Sequence, residues 1–165
     1  MRVVRVESDD HRYEDALSVR YAVFVDEQGV PEELEVDEHE ASATHFVGYA
    51  DDDEAVGDGE NRGRGGEGGD GGAGGEPVAA ARLREYEPGV GKVERVAVRE
   101  EHRGEGLGAA VMDAVEAYAA REGFDELYLH AQLHVEAFYA ARGYERDGEP
   151  FTEAGIEHVA MRLAL

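Results

Sequence analysis

Apolar residues recur along this chain at two spacings, and the switch between them marks out the elements. Val3 to Val6 is a short apolar run that reads as a first strand. Tyr13, Leu17, Tyr21 and Phe24 recur at helical spacing and predict a helix over residues 10–28, stopped by Gly29 and Pro31. Thr44 to Tyr49 is rich in strand formers, and Val78 to Tyr86 resumes a strand before the Pro88-Gly89 turn. Lys92 to Val98 predicts the next strand. Leu107, Val111, Ala114, Val115 and Tyr118 form one helical stripe that ends at Gly123. Leu127 to Ala131 reads as a strand, and Val135 to Arg142 as a short helix closed by Gly143. Residues 144–148 and 156–163 complete a sheet. The mixed order predicts an α/β (α+β) domain with hairpins, a single unit over residues 1–165.

One segment breaks the pattern. Asp51 to Glu76 holds 11 glycines and 9 acids in 26 residues, with almost nothing to bury. It predicts a flexible, solvated loop inserted between two paired strands. Gly63, Gly65 and Gly68 match the dinucleotide-binding spacing, but no strand precedes them and no helix comes after, so the match is fortuitous.

Charge then narrows the function classes. The chain has 165 residues, 39 acids against 16 bases, and a net charge of -23. Such a surface repels phosphate backbones, so nucleic acid is an unexpected partner. No apolar run is long enough to span a membrane, and the N-terminus lacks an apolar leader, so a soluble cytoplasmic protein is expected. Without cysteine, disulfides, thiolate metal sites and a Cys nucleophile are excluded. The acids are spread along the whole chain, and Lys92 is the sole lysine. Self-repulsion on this scale is screened in concentrated salt, which points to a halophilic cytoplasm. A GC-rich genome would account for the missing lysines but not for the acids.

The stretch with chemistry in it runs from the Lys92–Val98 strand through Arg99-Glu-Glu-His-Arg-Gly-Glu-Gly-Leu-Gly108 into the striped helix. The first helical turn offers unpaired backbone N–H groups at the positive dipole end, and glycines let an anion approach them. Arg103 can add a forked contact to a phosphate oxygen. The loop therefore reads either as a phosphate or pyrophosphate site or as a glycine-rich turn that packs a helix on a sheet.

Arg103-x-x-Gly106-x-Gly108 after an apolar strand resembles the acyl-CoA-binding motif of the GNAT superfamily of N-acyltransferases. Gln132, Ala137-Phe138-Tyr139 and Gly143-Tyr144 resemble that family's second motif, with Gln132 where Asn is usual. Arg20 to Pro31, Asp37-Glu38-His39, His45, Leu129 to Gln132 and Gly155 to His158 resemble the ElaA-like branch. The resemblance spans nearly the whole chain except the Gly-rich segment. It implies a mixed, twisted sheet splayed between the Lys92–Val98 and Leu127–Ala131 strands, with acetyl-CoA in the opening. The backbone of Val96, Ala97 and Val98 would pair with the pantetheine arm. Arg103, Gly104, Gly106, Leu107 and Gly108 would cradle the pyrophosphate, and Gln132 and Phe138 would flank the cofactor.

The implied activity is N-acetyltransfer by direct attack of a small-molecule or peptide amine on the thioester. Tyr139 matches the position of the general acid. Glu94 and His130 are candidate bases, each with a plain structural alternative: a solvent-facing acid and a half-buried histidine. Glu27, His39 and His45, with Asp37 and Glu38, are candidates to line an acceptor pocket. His130 and His134 lack a third partner at ligand spacing, so no metal is expected. Relatives of this kind are often dimers, which the resemblance extends to this chain. A non-catalytic acyl-CoA sensor of the same fold is the competing function, because fold alone does not fix activity.

Overall fold

The computed structural model describes residues 1–51 and 75–165. Apart from its two ends, the Asp51–Glu76 insertion, with Gly63, Gly65 and Gly68, lies outside the described residues. Those ends meet where the Ala50 amide donates to the Glu76 carbonyl at 2.9 Å.

The elements are β1 (Arg2–Val6), α1 (Tyr13–Arg20), α2 (Glu32–Glu35), β2 (Thr44–Tyr49), β3 (Pro77–Glu87), β4 (Val90–Val98), α3 (Leu107–Arg121), β5 (Glu126–Gln132), α4 (Glu136–Ala141), β6 (Glu145–Arg146), β7 (Phe151–Glu153) and β8 (Ile156–Ala164). The strands form one mixed sheet in the order β1-β2-β3-β4-β5-β8-β6, with β7 paired to β8. β4 and β5 run parallel and are joined through α3, as parallel neighbours require a crossover.

Each sheet face has its own core. On one face, Val111, Met112, Val115 and Ala119 of α3 pack on Phe46, Leu83, Leu127 and Leu129. On the other, Ala16, Val19 and Val23 cover Val47, Ala80 and Ala97. Burying each large aliphatic side chain is worth roughly 1.5–3 kcal/mol.

The structure adds the short helix α2, which the sequence pattern did not predict, and departs from the expected elements in three further places. The helix predicted over 10–28 is α-helical only to Arg20 and continues as a π-helical segment, Tyr21–Glu27, in which the Gln28 amide reaches the Val23 carbonyl at 3.1 Å. The run Val23-Phe24-Val25 is β-branched and aromatic, a composition that favours the α-helix weakly. The strand expected over 144–148 shrinks to Glu145–Arg146. The strand β7 is an addition, too short at three residues to show a period.

One irregularity decides where the site lies. Ala80 faces Ala97 and Arg82 faces Glu94, so two steps on β3 oppose three on β4. The extra residue is accommodated at a bulge, and Arg95 there has φ 56°. β4 pairs with β5 only over Val90–Val93 against Glu126–Leu129. From Glu94 onward the two strands part.

Candidate active site

The parted strands open a cavity of roughly 820 Å³. Its walls are the Glu94–Val98 half of β4, the loop before α3, the Leu129–Gln132 end of β5, Phe138 and Tyr139 of α4, and Glu153 and His158 from β7 and β8. Glu27 and Gln28, at the end of the π-helical segment, close one side.

At the loop end, Gly104 (φ 84°) and Gly106 (φ 81°) adopt the left-handed backbone that side chains resist. Gly106 caps α3, whose first residues, Leu107, Gly108 and Ala109, line the cavity with the helix's unpaired N–H groups. A Cβ on Gly108 would meet Phe138 at 3.5 Å and Val98 at 3.9 Å, ordinary contacts. The protein itself thus has room for a side chain at Gly108; a ligand lying on that backbone would not. Arg103 donates from Nε to the Val98 carbonyl at 3.1 Å and makes a forked pair with Glu27 at 2.6 and 2.7 Å. The hydrogen bond from Arg103 holds the Glu27 carboxyl below its ordinary value. Glu27 therefore lines the cavity at its loop end, paired with Arg103.

In the middle of the cleft, the backbone of Val96, Ala97 and Val98 lines the splay, and Ala97 and Val98 pair on their other side with Ala80 and Ala79. Gln132 and Gln28 exchange amide hydrogen bonds of 2.9 and 3.2 Å across the opening. Tyr139 is 7% exposed and packs edge-on against Phe138 and Tyr144. Burial pushes its phenol well above the ordinary value, so it stays protonated at neutral pH.

The far end is ionic. Burial tends to raise the Glu94 carboxyl, but Arg82 and Arg84, with Lys92 3.3 Å away, outweigh it and hold it at about 2. Glu94 lines the cavity as expected, but a carboxylate so stabilised is a poor proton acceptor, which favours His130 over it as the base. His130 lines the cavity, with Nδ1 3.2 Å from Glu153 Oε2 and Nε2 2.9 Å from the Tyr128 hydroxyl.

His39 and His45 do not line the cavity, a correction to the expected acceptor pocket. His45 is fully buried beneath the Tyr13 ring, with Nε2 donating to the Glu40 carbonyl at 3.0 Å. Burial drives its pKa down, so the ring is neutral. His39 sits at the surface beside Glu38. Asp37 is held at about 2: burial raises it, and the Arg82 hydrogen bonds overcome that.

What the sequence did not reveal is the cluster around Arg20 and Arg82, both fully buried. Arg20 bonds Glu35 and Glu40, and Arg82 bonds Asp37, Glu40 and Glu94. Arg95 reaches Glu35 and Asp37 from the bulge. The cluster ties the segment after the π-helical turn to β3 and β4 and reaches the cavity through Glu35, Glu94 and Arg95. Tyr128 and Glu153 were also missed, although the alternation Tyr128, His130, Gln132 on β5 places these three on one face. Among the described residues, the acids and histidines close enough to share a cation are Glu76, Glu101 and His102, outside the His130 region.

Comparison with known proteins points the same way. The acetyltransferase (GNAT) domain profile matches residues 72–165. The chain is 36% identical over 157 residues to the uncharacterized N-acetyltransferase YjcF of Bacillus subtilis, covering 94% of this chain and 95% of that protein. A crystal structure of an acyl-CoA N-acyltransferase from Pseudomonas aeruginosa superposes with TM-score 0.76 at 26% identity, covering 99% of both chains. Escherichia coli ElaA superposes with TM-score 0.74 at 24% identity, covering 98% of this chain and 97% of ElaA.

Proposed function

The chain belongs to the GNAT acetyltransferase family, and from that membership we propose that it moves the acetyl group of acetyl-CoA onto an amine by direct attack within a ternary complex. The observation that carries this reading is the splay beyond Val93, which opens directly onto the Arg103–Gly108 loop and the N-terminus of α3. The pyrophosphate would take the α3 N–H groups and compete with Glu27 for the Arg103 fork. The pantetheine arm would run along Val96–Val98, between Gln132 and Phe138, with the thioester near Tyr139.

An alkylammonium has an ordinary pKa near 10 and must lose a proton before it attacks. His130 is the candidate acceptor of that proton, since Glu94 is committed to its cations. Attack makes the N–C bond and breaks C–S. Tyr139, kept protonated by burial, donates to the departing thiolate.

The test is release of free thiol from acetyl-CoA with a panel of polyamines, amino acids and peptides in molar KCl. Amine-dependent release is expected. Tight CoA binding without release would favour the non-catalytic sensor instead.

A further inference from the structure

Both ring nitrogens of His130 are taken. Glu153, through its carboxylate, can only accept, and the hydrogen bond from His130 holds it below its ordinary pKa, so it is ionised and Nδ1 carries the hydrogen. In the neutral ring the lone pair is then on Nε2, and the Tyr128 hydroxyl donates to it. While that bond stands, a proton reaches Nε2 through the Tyr128 oxygen.

The surroundings hold this arrangement in place. Glu153 ends β7, and the turn after it is two residues long, Glu153 pairing with Ile156. Both turn residues are left-handed, Ala154 at φ 51° and Gly155 at φ 77°. Alanine adopts this backbone at a cost, and such strain is kept where surrounding structure requires it. Ala154 and Glu153 both line the cavity. Phe151 packs edge-on against the His130 ring at 4.8 Å. Tyr128 is stacked by Tyr86 from β3 at 5.1 Å and covered by the Arg162 guanidinium from β8 at 4.5 Å. Lys92, beside Tyr128 on β4, also acts on Glu153; His158 on β8 stacks on Phe151 and acts on Glu153; Asp147 acts on Tyr128.

Resting on the amine-acetylation reading, we propose that Tyr128, His130 and Glu153 form the relay that removes the acceptor's proton. Tyr128 lies behind His130 and does not itself line the cavity, so the ammonium N–H bond breaks as its proton passes through one water to the Tyr128 oxygen. The Tyr128 O–H bond breaks as its own proton forms Nε2–H on His130. The phenol is regenerated, and the positive charge now lies on the imidazolium. Glu153 is a positioning residue: it fixes the Nδ1–H tautomer and stabilises that charge.

Nitrogen NMR of His130 in the ligand-free protein should show Nδ1–H; Nε2–H would overturn the relay without touching the acetyltransfer reading. In the pH profile of kcat/KM, Glu153→Gln should lower the rate by about tenfold or more and move the acidic limb to lower pH. Removing the anion makes the imidazolium harder to form; an unmoved limb removes Glu153 from the role. Tyr128→Phe should lose as much as His130→Gln, whereas wild-type rates in Tyr128→Phe would mean that His130 takes the proton directly and would overturn the relay. Absence of amine-dependent turnover in the wild type overturns the acetyltransfer reading itself.

Discussion

Two arginines grip carboxylates, Arg82 behind the ionic end of the cleft and Arg103 at its loop end, and they differ in enclosure. The Arg82 side chain is 1% exposed and holds Asp37, Glu40 and Glu94, whose side chains are mostly covered. Arg103 and Glu27 are 42% and 32% exposed and pair with each other, and Arg103 also donates to the Val98 carbonyl. Removing one partner of an enclosed cluster strands charges that water cannot reach, whereas an exposed pair exchanges readily with solvent or another anion. Enclosure makes Arg82 scaffold; exposure leaves Arg103 open to exchange with a phosphate.

The largest effect that would break this contrast is on stability. Arg82→Ala should cost about 3–5 kcal/mol in denaturant unfolding, while Arg103→Ala should cost about 1 kcal/mol or less. Equal costs would mean that the two pairs are not different in kind. The same cluster sets the acid limit. Asp37, Glu40 and Glu94 are depressed to about 2, so their contribution is present above the ordinary carboxylate range. It is lost as pH falls from about 4.5 toward about 2. An acid titration followed by circular dichroism should show the transition there, and Arg82→Ala should shift it.

Next comes turnover. Tyr139→Phe should lower kcat by about a hundredfold with CoA affinity almost unchanged if, as proposed, the phenol proton serves the leaving thiolate. An unchanged kcat would remove Tyr139 from that role. At the loop, Gly106→Val forces a β-branched residue to φ 81° and should weaken CoA binding by about tenfold in calorimetry, with unaltered affinity refuting the cradle. The smallest effect sharpens the comparison most finely. Glu27→Gln should tighten CoA binding a few-fold by freeing the Arg103 fork, and this gain should shrink in concentrated salt.

The glycine loop was legible because its conformation is local: left-handed turns at Gly104 and Gly106 leave a spacing, and the apolar stripe of α3 marks the helix they lead into. Leu127, Leu129 and Ala131 likewise announced a strand with one face in the core. The ionic cluster was not legible. In a chain with 39 acids and 16 bases, nothing beside Arg20 or Arg82 marks it as enclosed. The partners that enclose Arg82 come from 12 to 45 residues away, and Glu27 meets Arg103 across 76. The places of His45, buried under Tyr13, and of His39, at the surface away from the cavity, were hidden for the same reason, since both are tertiary facts. We propose that the -23 charge adapts the protein to concentrated salt. A melting temperature that rises from about 0.1 to about 3 M KCl would support it, and a flat curve would reject it.

The central claim, that this cleft transfers acetyl groups to amines, is tested most directly by mass spectrometry of the amine panel after incubation with acetyl-CoA and the full chain in molar KCl. The account predicts at least one amine gaining a single acetyl group in proportion to thiol released, with the gain abolished by competing CoA. Bound CoA with no acetylated amine across the panel would contradict it.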